Sequence, residues 1–136
     1  MEPSDEFTMN QVKNRLVTFS DWPYDHGDCV CTSEKMAEAG FFHIPSDSEP
    51  DLVRCFVCLK ELDGWEPQDD PYAEHKKHSP KCQFIKMNKK EADWTIEDLL
   101  KMEIKRQQAR IEKLCTLKID EFRQQADEVR ERLEEM

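Results

Sequence analysis

The chain has 136 residues, a formal net charge of -10, 37% charged against 38% hydrophobic residues, and only 3 glycines. Its mean hydropathy of -0.87 excludes one large apolar core, and no stretch is long and apolar enough for a membrane span. The acidic balance argues against unspecific or direct DNA binding through phosphates.

The first residues are acidic and lack a hydrophobic run, so no signal peptide is expected. The chain is therefore expected in the reducing cytosol or nucleus, where thiols bind metal rather than pair. Residues 1–96 hold 11 basic and 19 acidic residues, a balance of -8, and residues 97–136 hold 9 and 11, a balance of -2. The acidic surplus of the front part favours basic partners there.

Residues 1–9 read as an N-terminal segment and 10–87 as a compact domain. Asn10–Phe19 sets Val12, Leu16 and Phe19 on one helical face, and Trp22-Pro23 ends that helix. Thr32-Ser33-Glu34 is a helix start and Gly40 its stop. Phe41–His43 and Val53–Phe56 read as short strands, Glu61–Leu62 as a third, and Asp63-Gly64 as a tight turn before Trp65. Asp70 caps the next helix with Pro71 at its first position, where the missing N–H costs nothing. That helix carries His75, and Ser79-Pro80 ends it before Cys82.

Cys55, Cys58, His75 and Cys82 follow the spacing Cys-x2-Cys-x16-His-x6-Cys. A Cys-x2-Cys turn supplies two thiolates from one side; the helix and the turn after it supply the other two ligands. A closed Cys3His shell leaves no position for water, so one structural Zn2+ is expected rather than a catalytic one. Cys29 and Cys31 lie near His26, but with no convincing fourth ligand they read as small hydrophobes packing beside a turn. The fold class is α+β: a small zinc-bound unit with a three-stranded antiparallel sheet and short helices, followed by one long C-terminal α-helix.

Residues 84–96 form an apolar-rich stretch with Phe84, Ile85, Met87, Trp94 and Ile96, of which 88–95 is the connector. Thr95 is an N-cap with Asp98 at the reciprocal capping-box place. Residues 96–136 contain no Pro or Gly and read as one helix on the order of 60 Å long. Its apolar residues are Leu99, Leu100, Ile104, Ile111, Cys115, Ile119, Phe122, Ala126, Val129, Leu133 and Met136. From Ile111 the spacing is close to a heptad stripe, too long for the front domain to cover, and part of it is expected to meet other chains.

Arg15, Phe19, Trp22-Pro23, Met36 through Phe41, Asp51-Leu52, Cys55-Phe56-Val57-Cys58, Gly64-Trp65-Glu66-Pro67, Asp69-Asp70-Pro71 and Glu74 through His78 resemble a baculoviral inhibitor-of-apoptosis repeat over about residues 10–87. One repeat followed by a long helix, with no second repeat and no RING-type cysteine cluster, resembles that family's single-repeat branch. The resemblance implies a non-enzymatic mitotic adaptor of the chromosomal passenger complex. Its repeat would bind the histone H-three tail phosphorylated on the third-residue threonine. Its helix would join borealin and the inner centromere protein in a bundle that brings Aurora B kinase. The helix positions for that bundle are Ile104, Ile111, Cys115, Ile119, Phe122, Val129 and Leu133. The implied location is the nucleus, the centromere and spindle midzone in mitosis, and the cytoplasm.

By the same resemblance, Leu62 and Trp65 wall a pocket for the peptide's first methyl group, and Asp63 and Asp69 bind its ammonium by charge-assisted hydrogen bonds. Glu49 and Asp51 extend the acidic surface toward a second-residue Arg, and Lys60 and His78 flank the phosphate. Two departures bear on this site: Asp63 is one methylene shorter than the Glu usual there, and Gln68 replaces an acid. A homodimer of the free protein would pair through Phe7, Trp94, Ile96 and Leu99, although Glu91 stands where an aromatic is usual. Thr32 precedes Ser33, so proline-directed phosphorylation is not expected there. The alternative function is an apoptosis inhibitor acting on caspases or on their N-terminal-Ala antagonists. No phosphate loop and no Cys/His nucleophile pair apart from the zinc set supports an enzyme.

Overall fold

The computed structural model describes residues 3–136, with side chains from Asp5 onward. The element order is α1 (Pro3–Thr8), α2 (Val12–Val17), α3 (Ser33–Glu38), β1 (Phe41–His43), β2 (Val53–Cys55), β3 (Glu61–Leu62), α4 (Pro71–His78), α5 (Gln83–Met87), a 3-10 turn at Glu91–Asp93, and α6 (Ile96–Glu135). The sheet is antiparallel in the order β1-β2-β3, with Phe41 opposite Cys55 and Val53 opposite Leu62. It is the small α+β unit with a long terminal helix that the sequence predicts.

Several caps act as expected. Thr32 accepts from Lys35 N–H, Asp70 accepts from Tyr72 and Ala73 N–H, and Thr95 and Asp98 form a reciprocal capping box. The helix expected over Asn10–Phe19 is shorter. It starts at Val12 because Asn10 is buried and bonded to Arg106, and it closes at Thr18, whose hydroxyl donates to the Arg15 carbonyl at 2.6 Å and accepts from His43 N–H at 2.9 Å. Phe84 and Ile85 are buried in α5, ahead of the connector. Residues 3–8, read only as a segment, form α1.

The core joins Trp22, Met36, Phe41, Phe42, Val53, Phe56, Val57, Trp65 and Phe84. Two arginines lie within it. Arg15 is fully buried, donates to Ala37 O and Met9 O at 2.9 and 2.7 Å, and stacks over the Phe56 ring at 4.2 Å. Burial lowers its pKa to about 10, so it stays charged at neutral pH. Arg106, 1% exposed, donates to Asn10 Oδ1 at 2.9 Å and Phe56 O at 3.4 Å and pairs with Glu103.

With Met102, Arg106 forms the face of α6 that is buried against the repeat. Ion pairs Glu6–Arg110 at 3.5 Å and Glu61–Lys113 at 3.3 Å flank it. Beyond Lys113 the helix is exposed apart from half-buried Ala126. Among the described residues no helix is long and apolar enough to cross a membrane.

Candidate metal centre and peptide cavity

The metal centre is built by β2, the turn after it, α4 and the residue preceding α5. Strand β2 delivers Cys55. The chain then turns through Phe56-Val57 to Cys58, with Val57 N–H directed at Cys55 Sγ (3.3 Å) and Leu59 N–H donating to Cys55 O (3.1 Å). Leu59 takes a left-handed φ of 59° to close this knuckle. Helix α4, started by the Asp70 cap, brings in His75, and the Ser79-Pro80 exit returns Cys82.

The four ligand atoms all lie within 4.8 Å of one another. Cys55 Sγ and Cys82 Sγ are 3.8 Å apart, and Cys58 Sγ and His75 Nε2 are 3.6 Å apart. Zinc–sulfur and zinc–nitrogen bonds at the tetrahedral angle call for edges of about 3.8 and 3.6 Å. The residues therefore fit one structural zinc, which would cross-link β2, α4 and the start of α5 without doing chemistry. Cys31 is buried and directs its thiol at Glu66 O (3.1 Å), Cys29 is half-buried, and Cys115 is exposed; none joins this group.

Next to the centre, Leu62, Asp63, Gly64, Trp65, Asp69, Glu74 and His78 line a cavity of about 150 Å³. Trp65 is 6% exposed, belonging to the core and to the cavity wall at once. Its N–H donates to Asp51 Oδ2 at 2.8 Å, its carbonyl accepts the Tyr24 hydroxyl, and its ring meets Phe41 edge-on at 5.7 Å. The indole Nε1 has no partner among the described residues.

Asp69 accepts Glu66 N–H at 2.8 Å, which fixes the loop beneath it. Asp51, through the hydrogen bond its Oδ2 accepts from Trp65 N–H, positions Trp65. Glu74 was missed by sequence reasoning. It sits one turn before His78 on α4 and lies 3.4 Å from the imidazole, an i,i+4 spacing that would have found it. Three carboxylates around one small cavity suit a primary ammonium.

Lys60 and Glu49 are not in the lining of that cavity. Lys60 lines a groove of about 440 Å³ with Leu59, Lys113 and Leu117, between the knuckle and α6. Glu49 is half-buried in the β1–β2 loop, where its N–H donates to Ser46 Oγ at 3.1 Å.

Of the proposed pairing residues, Phe7, Trp94 and Leu99 line one groove of about 420 Å³ together with Glu91. The Glu91 carboxylate is occupied by Val12 N–H at 3.1 Å. Ile96 is exposed outside that groove. On α6, Ile104, Ile111, Cys115, Ile119, Phe122, Val129 and Leu133 are all exposed, and so are Leu114 and Leu117.

Residues 15–86 match the family described as Inhibitor of Apoptosis domain. The chain is 49% identical to baculoviral IAP repeat-containing protein 5.2-A of Xenopus laevis, over 99% of this chain and 87% of that protein. It is 45% identical to baculoviral IAP repeat-containing protein 5 of Mus musculus, over 92% and 89%. A solved structure, DIAP1 BIR1 bound to a Grim peptide, aligns over 61% of this chain and 78% of its own at 32% identity and a TM-score of 0.49.

Proposed function

The chain belongs to the baculoviral inhibitor-of-apoptosis repeat family, in its single-repeat survivin branch, and from that premise we propose that it is a non-enzymatic mitotic adaptor. Its repeat reads the amino terminus of the phosphothreonine-bearing histone H-three tail. Its helix joins borealin and the inner centromere protein to bring Aurora B kinase to centromeres. The free protein pairs as a homodimer over the Phe7–Trp94–Leu99 groove, and the same surface engages borealin.

The observation that carries this reading is the pairing of two features on one chain: a small acid-walled cavity beside the zinc centre and a helix whose distal apolar stripe is bare. Asp63, Asp69 and Glu74 suit the α-ammonium, and Leu62 and Trp65 suit a small first side chain. His78, in the lining of the same cavity, and Lys60 supply the phosphate contacts. An inhibitor acting through its repeat alone has no need of a bare helix.

Calorimetric titration of the zinc-loaded chain tests the reader site. The ligands are peptides beginning Ala-Arg-Thr-Lys: unmodified, phosphorylated on the threonine, and phosphorylated with an acetylated amino terminus. Binding of the second well above the other two supports the site, and equal weak binding of all three overturns it. The cavity also suits other peptides that begin with alanine, so antagonists of apoptosis inhibitors are the second reading. Preference for such a peptide over the phosphorylated tail, with dose-dependent loss of caspase activity, would favour it.

A further inference from the structure

In a chain of net charge -10, the six lysines Lys76, Lys77, Lys81, Lys86, Lys89 and Lys90 fall within residues 75–90, which hold no Asp or Glu. All six are exposed. Among the described residues only Lys89 is ion-paired, to Asp98 at 3.0 Å. The last turn of α4 accounts for Lys76 and Lys77, whose charges complement the helix C-terminus, but not for the four that follow.

Two of them, Lys89 and Lys90, line a cavity of about 570 Å³ walled by Val12, Tyr72, Phe84 and Trp94. Lys76 lies one turn beyond Tyr72 on the same face of α4. Arg15 also lines this cavity; it is fully buried, and its Nη2 has no partner among the described residues. Of the two carboxylates in the lining, Glu38 pairs with Lys35 at 3.6 Å, while Glu91 accepts Val12 N–H at 3.1 Å and keeps its charge near Arg15. The cavity thus joins the rings of Tyr72, Phe84 and Trp94 to a small positive surplus, in which Lys90 has no ion pair among the described residues. It is also separate from the cavity beside Trp65. Glu74 and His78 serve that one, while Tyr72 serves this one from the opposite face of the same helix.

We propose that this cavity docks an acidic segment of a partner protein, seating one aromatic or large apolar side chain against Tyr72, Phe84 and Trp94 and its flanking carboxylates on Lys76 and Lys90. A peptide fits better than a nucleic acid. The concave wall takes a side chain, and the basic stretch is short. A phosphate backbone running past it would meet the acidic surface of the rest of the chain.

The test is fluorescence anisotropy of the zinc-loaded full chain with a labelled, amino-blocked peptide Glu-Asp-Phe-Glu-Asp-Glu, which the amino-terminus cavity does not accept. Saturable, salt-sensitive binding is expected, with a shift of the Trp94 indole N–H resonance. Replacing the peptide's Phe by Ala, or introducing Lys76→Glu with Lys90→Glu, should each weaken it by roughly tenfold. The double variant should keep its melting temperature and its affinity for the Ala-Arg-Thr-Lys probe. Absence of saturable binding, indifference to the Phe, or indifference to the lysines overturns the proposal. So does a single-stranded oligonucleotide that displaces the peptide at lower concentration, since the surface would then be a phosphate site.

Discussion

His75 and Ala39 are joined by a 2.7 Å hydrogen bond from the imidazole Nδ1 to the Ala39 carbonyl. A carbonyl only accepts, so Nδ1 carries a proton and Nε2 is the nitrogen left to face Cys58. The C-terminus of α3 thereby fixes the tautomer of a ligand on α4, and the metal centre is aligned before any metal arrives.

That alignment predicts a pH dependence of zinc binding. Burial pushes the Cys55 thiol well above its ordinary range. Burial alone would lower the His75 imidazolium, but Cys58 and Cys82 outweigh it and hold it up to about 9. Zinc binds thiolates and a neutral imidazole, so it must displace the protons these ligands carry in the free protein. Affinity should therefore fall as the pH drops from 8 to 6. Competition with a chromophoric chelator across that range measures the slope. A slope near zero would show that the ligands are already deprotonated in the free protein.

Gly40 is a second support of the same centre. Its φ is +95°, and a Cβ there would meet the Phe84 ring at 3.0 Å and His75 Cε1 at 3.5 Å. Gly27 also has positive φ, +59°, but its Cβ would meet nothing within 4 Å. Gly40→Ala should therefore cost about 2–4 kcal/mol, adding the clash with a packed ring to the backbone strain, and Gly27→Ala about 1 kcal/mol. Thermal melts of the zinc-loaded variants decide; equal losses would mean that Phe84 yields freely.

How much of this was legible in advance follows from where the physics is local. The zinc ligands could be read because thiolate and imidazole chemistry sits at fixed spacing. The starts of α4 and α6 could be read because Asp70 and Thr95 bond within their own turns. Arg15 and Arg106 gave no such sign. Buried arginine is rare, and the Asn10 and Phe56 groups that receive Arg106 lie 96 and 50 residues away in sequence. The α6 stripe was read correctly as apolar, yet the face that anchors the helix to the repeat is the one with Met102 and Arg106. Lys60 lines a groove with Ser79 and the Lys113 and Leu117 side of α6, a contact between distant segments that no local pattern gives.

The Arg106 anchor should be costly to break. Removing its side chain strands Asn10 Oδ1 and uncouples Glu103, so Arg106→Ala is expected to destabilise the chain by about 3–5 kcal/mol. Hydrogen exchange should rise in α1 and in residues 96–113, with little change near Cys55. Arg110→Ala, which removes only a surface pair with Glu6 at 3.5 Å, should cost under about 1 kcal/mol. If both variants exchange alike, the helix is held by Met102 and its neighbours rather than by the arginine.

Asp51 offers a test of how the cavity beside Trp65 is held. It does not line the cavity, but its carboxylate accepts Trp65 N–H at 2.8 Å. Asp51→Ala removes that acceptor and should cost about 1–3 kcal/mol, and affinity for the phosphorylated Ala-Arg-Thr-Lys peptide should fall as the indole loosens. Asp51→Asn keeps an acceptor oxygen and should recover most of both losses. If affinity drops equally in the two variants, the negative charge acts on the peptide directly and not through Trp65.

The distal half of α6 should separate binding from stability. Phe122 is 71% exposed and Val129 54% exposed, so neither contributes much to the fold of the isolated chain, and Phe122→Glu with Val129→Glu should leave the zinc-loaded melting temperature within about a degree, as surface changes do. Carboxylates in the middle of a heptad stripe would nonetheless have to be buried unpaired in a helical bundle, a penalty of several kcal/mol. Co-elution with the helical segments of borealin and the inner centromere protein should therefore be lost, while binding of the amino-terminal peptide is retained. Loss of the peptide site together with the bundle would mean instead that the distal helix folds back on the repeat in solution, and retained co-elution would move the partner surface to the Leu114 and Leu117 side of the helix.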